Sequence, residues 1–425
     1  MKLLWFINSM LPEMAATIEG KVFNKTSASN SWVTALLDSV CANFDLTVCM
    51  FYNGTEFHDK KFENYRCIAI PYHGNLTRYH SSISKKLDYV NSLIKPDLVH
   101  VHGTEYPYVY NILQTFDPKM VIISAQGLIS VIAKYYLSGI SKKDIISNIT
   151  IRNIIFRDSA LGQKKEFIRR GSYEIKALRL AKYVIGRTDW DKIHMLTINP
   201  QLNYYHLDEL LREDFFKSRK WDYRLCDRHT IFLSQCNYPI KGLHKFIEAL
   251  SLVKRRYADV KVRIAGRDFL KHDTIVNWMK YSGYAKYINH LISKYGLDDC
   301  IIFTGVLDAQ GMASEYLKAN VFVCPSNIEN SPNSMCEAQF LGVPCVLSNV
   351  GGVYYMTNQG RTANLYRFEE VEMLASYICN IFEKPYNESN RIEEGLELAS
   401  KRHSKKDIAN GLLSIYEDVL QRKEK

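Results

Sequence analysis

The chain has 425 residues, a net charge of +10, 47% hydrophobic and 24% charged residues. That length exceeds one ordinary hydrophobic core and points to two or three domains, while 21 Gly and 11 Pro are too few for a disordered or collagen-like chain. The ten cysteines include no C-x-x-C pair, so they read as reduced core thiols rather than as a zinc knuckle or redox motif.

Residues 1–11 are apolar but interrupted by Asn8, too short for a signal peptide with its cleavage region or for a spanning helix, and they read as a first strand at 2–7. Further strands are predicted at 46–51, 97–102, 120–124 and 183–187, with helical patterns at 31–43 and 80–94 between them. This alternation implies a parallel sheet covered on both faces. The stretch KSRKWDYRLCD, 217–227, has neither period and reads as a linker. The pattern then restarts, with strands at 230–234, 260–265, 300–304, 321–324 and 345–347 and helices at 243–256, 313–317 and 332–341.

The expected class is therefore α/β, with two doubly wound, Rossmann-like domains at 1–216 and 230–400 joined by a linker at 217–229. A last helix, 405–421 within 401–425, is a candidate to pack back on the first domain. Open parallel sheets bind ligands beyond the carboxyl ends of their strands, so two such sheets facing each other would hold a substrate in the cleft between them.

Residues 141–187 carry twelve basic and four acidic residues, a local excess of +8, interleaved with Ile145, Ile146, Ile149, Ile151, Ile154, Ile155, Phe156, Phe167 and Ile168. Two readings stand side by side: helices lying on an anionic membrane surface, or a solvated basic face over a normal core. Nucleic acid is not expected as a partner, because no recognition helix or stacking motif accompanies the charge. The expected location is cytoplasmic, with peripheral attachment to the inner face of the membrane under the first reading.

Several motifs are excluded. Neither half has G-x-G-x-x-G after a strand, and Gly20-Lys21 is followed by Val22, without Walker spacing. Asp189-Trp190-Asp191 opens a predicted helix, where acidic residues suit the helix dipole; no metal or other cofactor is expected.

The segment 321–346, VFVCPSNIENSPNSMCEAQFLGVPCV, places a strand, a polar loop carrying Glu329, and Ser331-Pro332 as a cap and first helical residue. The free N–H groups of Asn333 and Ser334 and the positive helix end suit a diphosphate. Glu337, one turn after Asn333 and about 7 Å beyond Pro332 along the helix, is within reach of an attached ribose. In 236–242, CNYPIKG, Lys241 precedes a helix, a position that an anion would make favourable. In the first half, alternation puts His100 and His102 on one face of a strand that ends in Gly103 and Glu105. Gln126 and Arg187 end two further strands and are candidates for the acceptor side.

Together the strand, loop, capped helix and the Glu329/Glu337 spacing resemble the E-x7-E signature of retaining family 4 glycosyltransferases of GT-B fold, as found in bacterial capsule and O-antigen synthesis. The resemblance runs over nearly the whole chain and implies sugar transfer from a nucleoside diphosphate sugar to a sugar or lipid-linked oligosaccharide acceptor, without a metal. It implies that His102 contacts the donor sugar, Lys241 the diphosphate and Glu329 the donor sugar hydroxyls, with Glu337 on the ribose. The Arg usually found about five residues before the lysine is replaced by Ser234-Gln235-Cys236, which makes Arg267 the candidate substitute. The family's Gly-Gly loop after the first strand is replaced by the polar loop 9–31, with Thr26-Ser27-Ala28-Ser29-Asn30 near the expected position. A nucleotide-sugar epimerase of the same architecture and a non-catalytic scaffold are the alternatives.

Overall fold

The computed structural model describes residues 1–21, 32–156 and 158–423; residues 26–30 and Arg157 lie outside them. Apolar runs buried on both faces build two sheets, as expected for parallel strands. The first contains β1 (Lys2–Ile7), β2 (Asp45–Tyr52), β3 (His58–Lys61), β4 (Arg66–Pro71), β5 (Leu98–His102), β6 (Val121–Ser124), β7 (Tyr183–Gly186) and β8 (Asn203–His206), in the order β3-β4-β2-β1-β5-β6-β7-β8. Only the β3–β4 pairing is antiparallel. Alternation along β1 sends Leu4 and Phe6 into one core layer and Leu3, Trp5 and Ile7 into the other.

The second sheet contains β9 (Thr230–Leu233), β10 (Lys261–Ile264), β11 (Ile301–Phe303), β12 (Val321–Cys324), β13 (Cys345–Ser348) and β14 (Asn364–Tyr366), all parallel, in the order β11-β10-β9-β12-β13-β14. Ile231, Leu233, Val262, Val321 and Val323 fill one face. Phe232, Phe322 and Tyr316 interlock on the other, with ring centroids 4.8–6.3 Å apart.

The chain divides into two compact units that differ from a simple succession of halves. The first is Met1–Val131, Phe167–Arg212 and Arg402–Lys425; the second is Ile132–Glu166 and Glu213–Lys401. The segment Ile132–Glu166 joins the second because its backbone and side chains are bonded there. Asn327 Nδ2 donates to the Tyr135 and Ser138 carbonyls at 3.3 and 3.2 Å. Thr150 Oγ1 donates to the Tyr281 carbonyl at 3.2 Å and Gly283 N–H to Asn153 Oδ1 at 2.9 Å. The last helix, Lys405–Lys423, lies in the first unit, where Trp5 Nε1 donates to the Tyr416 hydroxyl at 3.0 Å.

The stretch read as a linker is packed structure. Trp221 donates from its backbone N–H to the Leu341 carbonyl and from Nε1 to the Ala319 carbonyl, both at 2.8 Å, and Lys220 Nζ donates to the Phe340 carbonyl at 2.6 Å. These groups satisfy carbonyls left open at helix ends, which hydrophobic periodicity cannot register.

Candidate active site

In the second sheet the strand order reverses between β9 and β12: the chain moves outward through β10 and β11 on one side and through β13 and β14 on the other. Loops leaving adjacent strands at such a point splay apart and leave a ligand crevice. Lys241 lies on the loop after β9, in the short turn Pro239–Lys241 that precedes the helix Leu243–Arg256. Glu329 lies on the loop after β12.

The two side chains form an ion pair, Lys241 Nζ to Glu329 Oε1, at 2.5 Å, with 24% and 13% of each side chain exposed. Ser326 Oγ donates to the same oxygen at 2.7 Å. Burial disfavours the ammonium, but Glu329, with Tyr238 and Cys324, outweighs it and raises the Lys241 pKa above its ordinary value. Lysine and glutamate, expected on separate parts of the donor, thus share one contact.

Two glycines allow this approach. Gly242, at φ +69°, brings its backbone against the Pro325 carbonyl, 1.8 Å from where a Cβ would sit; Gly351, at φ +55°, does the same against the Glu329 carbonyl, also at 1.8 Å. Gly352 N–H donates to that carbonyl at 3.0 Å. Only glycine accommodates such backbone angles and distances together.

The helix after Glu329 is Asn333–Leu341, with Pro332 at the N-cap and no side-chain cap, one residue later than the sequence suggests. Pro332 is extended, at φ −71° and ψ 113°, because its carbonyl turns to accept from Met335 and Cys336 N–H. Asn333 and Ser334 occupy the first two helical positions, whose N–H groups have no acceptor within the helix. Glu337 is buried on the next turn, where the Tyr316 hydroxyl shares its one proton between the Ser334 carbonyl at 2.8 Å and Glu337 Oε2 at 3.2 Å.

Beside this lies a cavity of about 500 Å³ at the carboxyl ends of β9, β10 and β11, lined by Gln235, Cys236, Gly266, Arg267, Phe303 and Met312 among others. Cys236 links it to the ion pair: burial raises its thiol pKa, while the nearby Lys241 lowers it and Glu329 raises it. Arg267 is exposed on the rim. Among the described residues no group of three or more His, Cys, Asp or Glu side chains is placed to hold a metal ion.

The remaining candidates lie in the first unit, at the carboxyl ends of β5, β6 and β7. His100 and His102 share a face, their ring centroids 3.9 Å apart, and His102 meets Trp5 edge-on at 4.6 Å. His102 is 1% exposed and borders a cavity of about 30 Å³ with Arg187 and Glu209, roughly the space of one water. Burial, reinforced by Arg187, pushes its pKa down to about 3, so the ring is neutral near pH 7. Arg187 is itself buried and pairs with Glu209 at 2.8 Å.

Glu105 is half-buried over Gly103, whose missing Cβ would lie 2.3 Å from its Oε2; burial pushes its carboxyl up to about 7. Gln126 is half-buried on the β6 loop, which Thr104 ties to the β5 loop by donating to the Gly127 carbonyl at 3.1 Å. Asp191 caps the helix Asp189–Ile198 in a reciprocal box with Thr188, a structural use of the D-x-D phrase.

Sequence reasoning did not single out Ser326, Asn327, Tyr316 or Gly351. The Gly351-Gly352 pair after β13 was a readable signal, because adjacent glycines beyond a strand often mark close backbone approach; the others depend on contacts distant in sequence.

Residues 218–397 match the family described as Glycosyl transferases group 1. Among curated proteins, the chain is 26% identical over 156 residues to an uncharacterized 41.2 kDa protein in the cps region of Klebsiella pneumoniae, covering 34% of this chain and 42% of that protein. It is 30% identical over 137 residues to the D-inositol 3-phosphate glycosyltransferase of Paenarthrobacter aurescens (strain TC1), covering 32% and 31%. The chain thus aligns with less than half the length of either relative. Among solved structures, sucrose-phosphate synthase from Thermosynechococcus elongatus superposes with a TM-score of 0.73 at 16% identity, covering 99% of both chains. Anabaena Alr3699/HepE in complex with UDP superposes with a TM-score of 0.64 at 14% identity, covering 98% of this chain and 100% of that one. The two Rossmann-like units are those of the GT-B fold.

Proposed function

We propose that this chain, whose residues 218–397 match the family described as Glycosyl transferases group 1, moves a sugar from a nucleoside diphosphate sugar to an acceptor hydroxyl with retention at the anomeric carbon. The observation that carries the reading is the Lys241–Glu329 ion pair on the loops after β9 and β12, where the second sheet reverses its strand order, with the helix start at Asn333 following Glu329 on the same loop. A lysine and two free helix N–H groups favour the negative charge that develops on a departing diphosphate, a role that needs no metal ion.

In this reading the nucleobase enters the 500 Å³ cavity, Arg267 approaches the diphosphate from the rim, and Glu337 accepts from the ribose hydroxyls. Glu329 keeps Lys241 oriented through Oε1 and offers its other oxygen to the donor sugar. The bond from the anomeric carbon to the diphosphate oxygen breaks as the acceptor oxygen bonds to the same face, and the acceptor proton passes to the leaving phosphate. By resemblance His102 is assigned to the donor sugar, and from their places at strand ends Glu105, Gln126 and Arg187 are assigned to the acceptor side, although His102 and Arg187 are buried, Arg187 against Glu209. A solved neighbour in complex with UDP supports a nucleotide-sugar donor, and a relative from a cps region supports surface polysaccharide synthesis as the setting.

The test is a thermal-shift screen of the purified chain against UDP-, GDP-, CDP- and ADP-sugars, followed by NMR of the product with candidate acceptors in the presence of a chelator. We expect one donor class to raise the melting temperature, and the product to keep the donor's anomeric configuration. No stabilisation by any nucleotide sugar, an inverted product, or isomerised donor without transfer would overturn the proposal.

A further inference from the structure

Within the second unit, two short helical regions expose large apolar side chains instead of burying them. On Lys142–Ser147, Ile151–Phe156 and the turn between them, Ile146, Ile151, Ile154, Ile155 and Phe156 are 58–68% exposed. On the helix Ile275–Lys280, Ile275, Val276, Trp278 and Met279 are 48–81% exposed. The sequence pattern had singled out only the first region.

The fold joins the two. Thr150 bonds to Tyr281 and Asn153 to Gly283, Lys286 Nζ donates to the Ser147 carbonyl at 3.3 Å, and Arg152 and Lys280 line one cavity of about 270 Å³. Large apolar side chains exposed together on linked segments mark an interaction site. Lys142, Lys143, Lys271, Lys280 and Lys286 are exposed around it. Of the nearby acids, Asp158 pairs with Arg152 and Asp268 lies 3.9 Å from Lys271, while Asp144 and Asp273 are held by the neutral donors Ser141 and Asn277 at 2.6 and 2.7 Å and keep their charge, so the lysines outnumber the uncompensated acids.

We propose that these two regions form one docking surface for an anionic lipid bilayer, the isoleucines, Phe156 and Trp278 entering the headgroup boundary and the lysines meeting lipid phosphates. Amphipathic helices with lysine rims and interfacial aromatics bind membranes in this way. Among the described residues no helix is long and apolar enough to cross a membrane, so the attachment is to one face. A second copy of the chain fits less well: a two-fold contact would bring two copies of the same lysine-rimmed patch together. The inference stands apart from the transfer reaction.

The test is flotation of the full chain with vesicles of phosphatidylcholine alone and of phosphatidylcholine with phosphatidylglycerol, at low and high salt. We expect binding only to the anionic vesicles, weakened by salt and lowered at least about tenfold in Ile154→Ser/Ile155→Ser, in Trp278→Ser/Met279→Ser and in Lys142→Glu/Lys143→Glu. We also expect a blue shift of emission on binding that Trp278→Phe removes. These side chains are exposed, so the variants should melt with the wild type. Failure to bind anionic vesicles, binding unchanged in all three double variants, or variants that alter only self-association in sedimentation would overturn the proposal.

Discussion

At Lys241 two requirements meet: the ammonium must survive partial burial, and it must remain able to turn toward an incoming anion. Glu329 meets the first through Oε1, which also accepts from Ser326, and the Lys241 side chain, still 24% exposed, meets the second. Lys241→Ala removes the cation from the place where leaving-group charge develops, and kcat for transfer is expected to fall about 10²–10³-fold. Glu329→Gln keeps the shape but loses both the charge that supports the ammonium and the carboxylate offered to the donor sugar, so transfer should fall by more than nucleoside diphosphate affinity; equal loss of both would mean that Glu329 acts only by holding Lys241. Gly351→Ala acts through the backbone of Glu329. Its new Cβ would meet the Glu329 carbonyl at 1.8 Å with φ at +55°, so the backbone must move, and a cost of about 1–3 kcal/mol in denaturant unfolding is expected together with loss of transfer.

Among the elements, the helix Asn333–Leu341 is the most open to a clean test. Pro332 already has the extended backbone that a following proline requires, and the first helical position tolerates proline best. Asn333→Pro should therefore keep the melting temperature while deleting one N–H donor and the side-chain amide. Calorimetry should then give about tenfold weaker nucleoside diphosphate binding, the worth of one hydrogen bond to a charged group; unchanged affinity would remove the helix start from the site. This element was legible in the sequence because cap, proline, apolar strand and loop coincide within 321–346, and buried runs such as β1, β5 and β12 stood out by their continuity. The edge strands β3, HDKK, and β8, NYYH, were not legible, since a strand exposed to solvent carries no apolar signature. Nor could pattern tell that Ile151, Ile154 and Ile155 face outward: periodicity reports that a face is apolar, not what covers it.

On the scale of the whole molecule, pH should act through buried imidazoles in both units. Burial lowers the pKa of His100, and takes His102 and His244 to about 3 and His403 to about 4, against about 6.5 in the unfolded chain. The unfolded state therefore binds more protons as pH falls below about 6.5, and each group costs up to about 1.4 kcal/mol per pH unit down to its folded value. Glu105 runs the other way: held near 7 by burial, it binds its proton more tightly when folded and costs stability as pH rises from the ordinary carboxyl range toward 7. Urea midpoints at pH 5 and pH 7 should show the chain weaker at pH 5. His403→Gln should flatten that dependence and Glu105→Gln should steepen it; slopes unmoved by either would show that these groups do not control it.

The chain passes between its two units three times before the last helix returns it to the first. That helix brings Tyr416 to Trp5 and His100, so β1 waits for residues synthesised long after it, with both intervening passes through the second unit between them, before its core is closed. Residues 1–212 made alone should then expose the Trp5 layer, bind a hydrophobic dye and aggregate, whereas adding residues 402–425 as a separate peptide should quench the dye. Translation order and spatial order are thus opposed in this protein, and a nascent chain stalled before residue 402 is the species expected to need a chaperone.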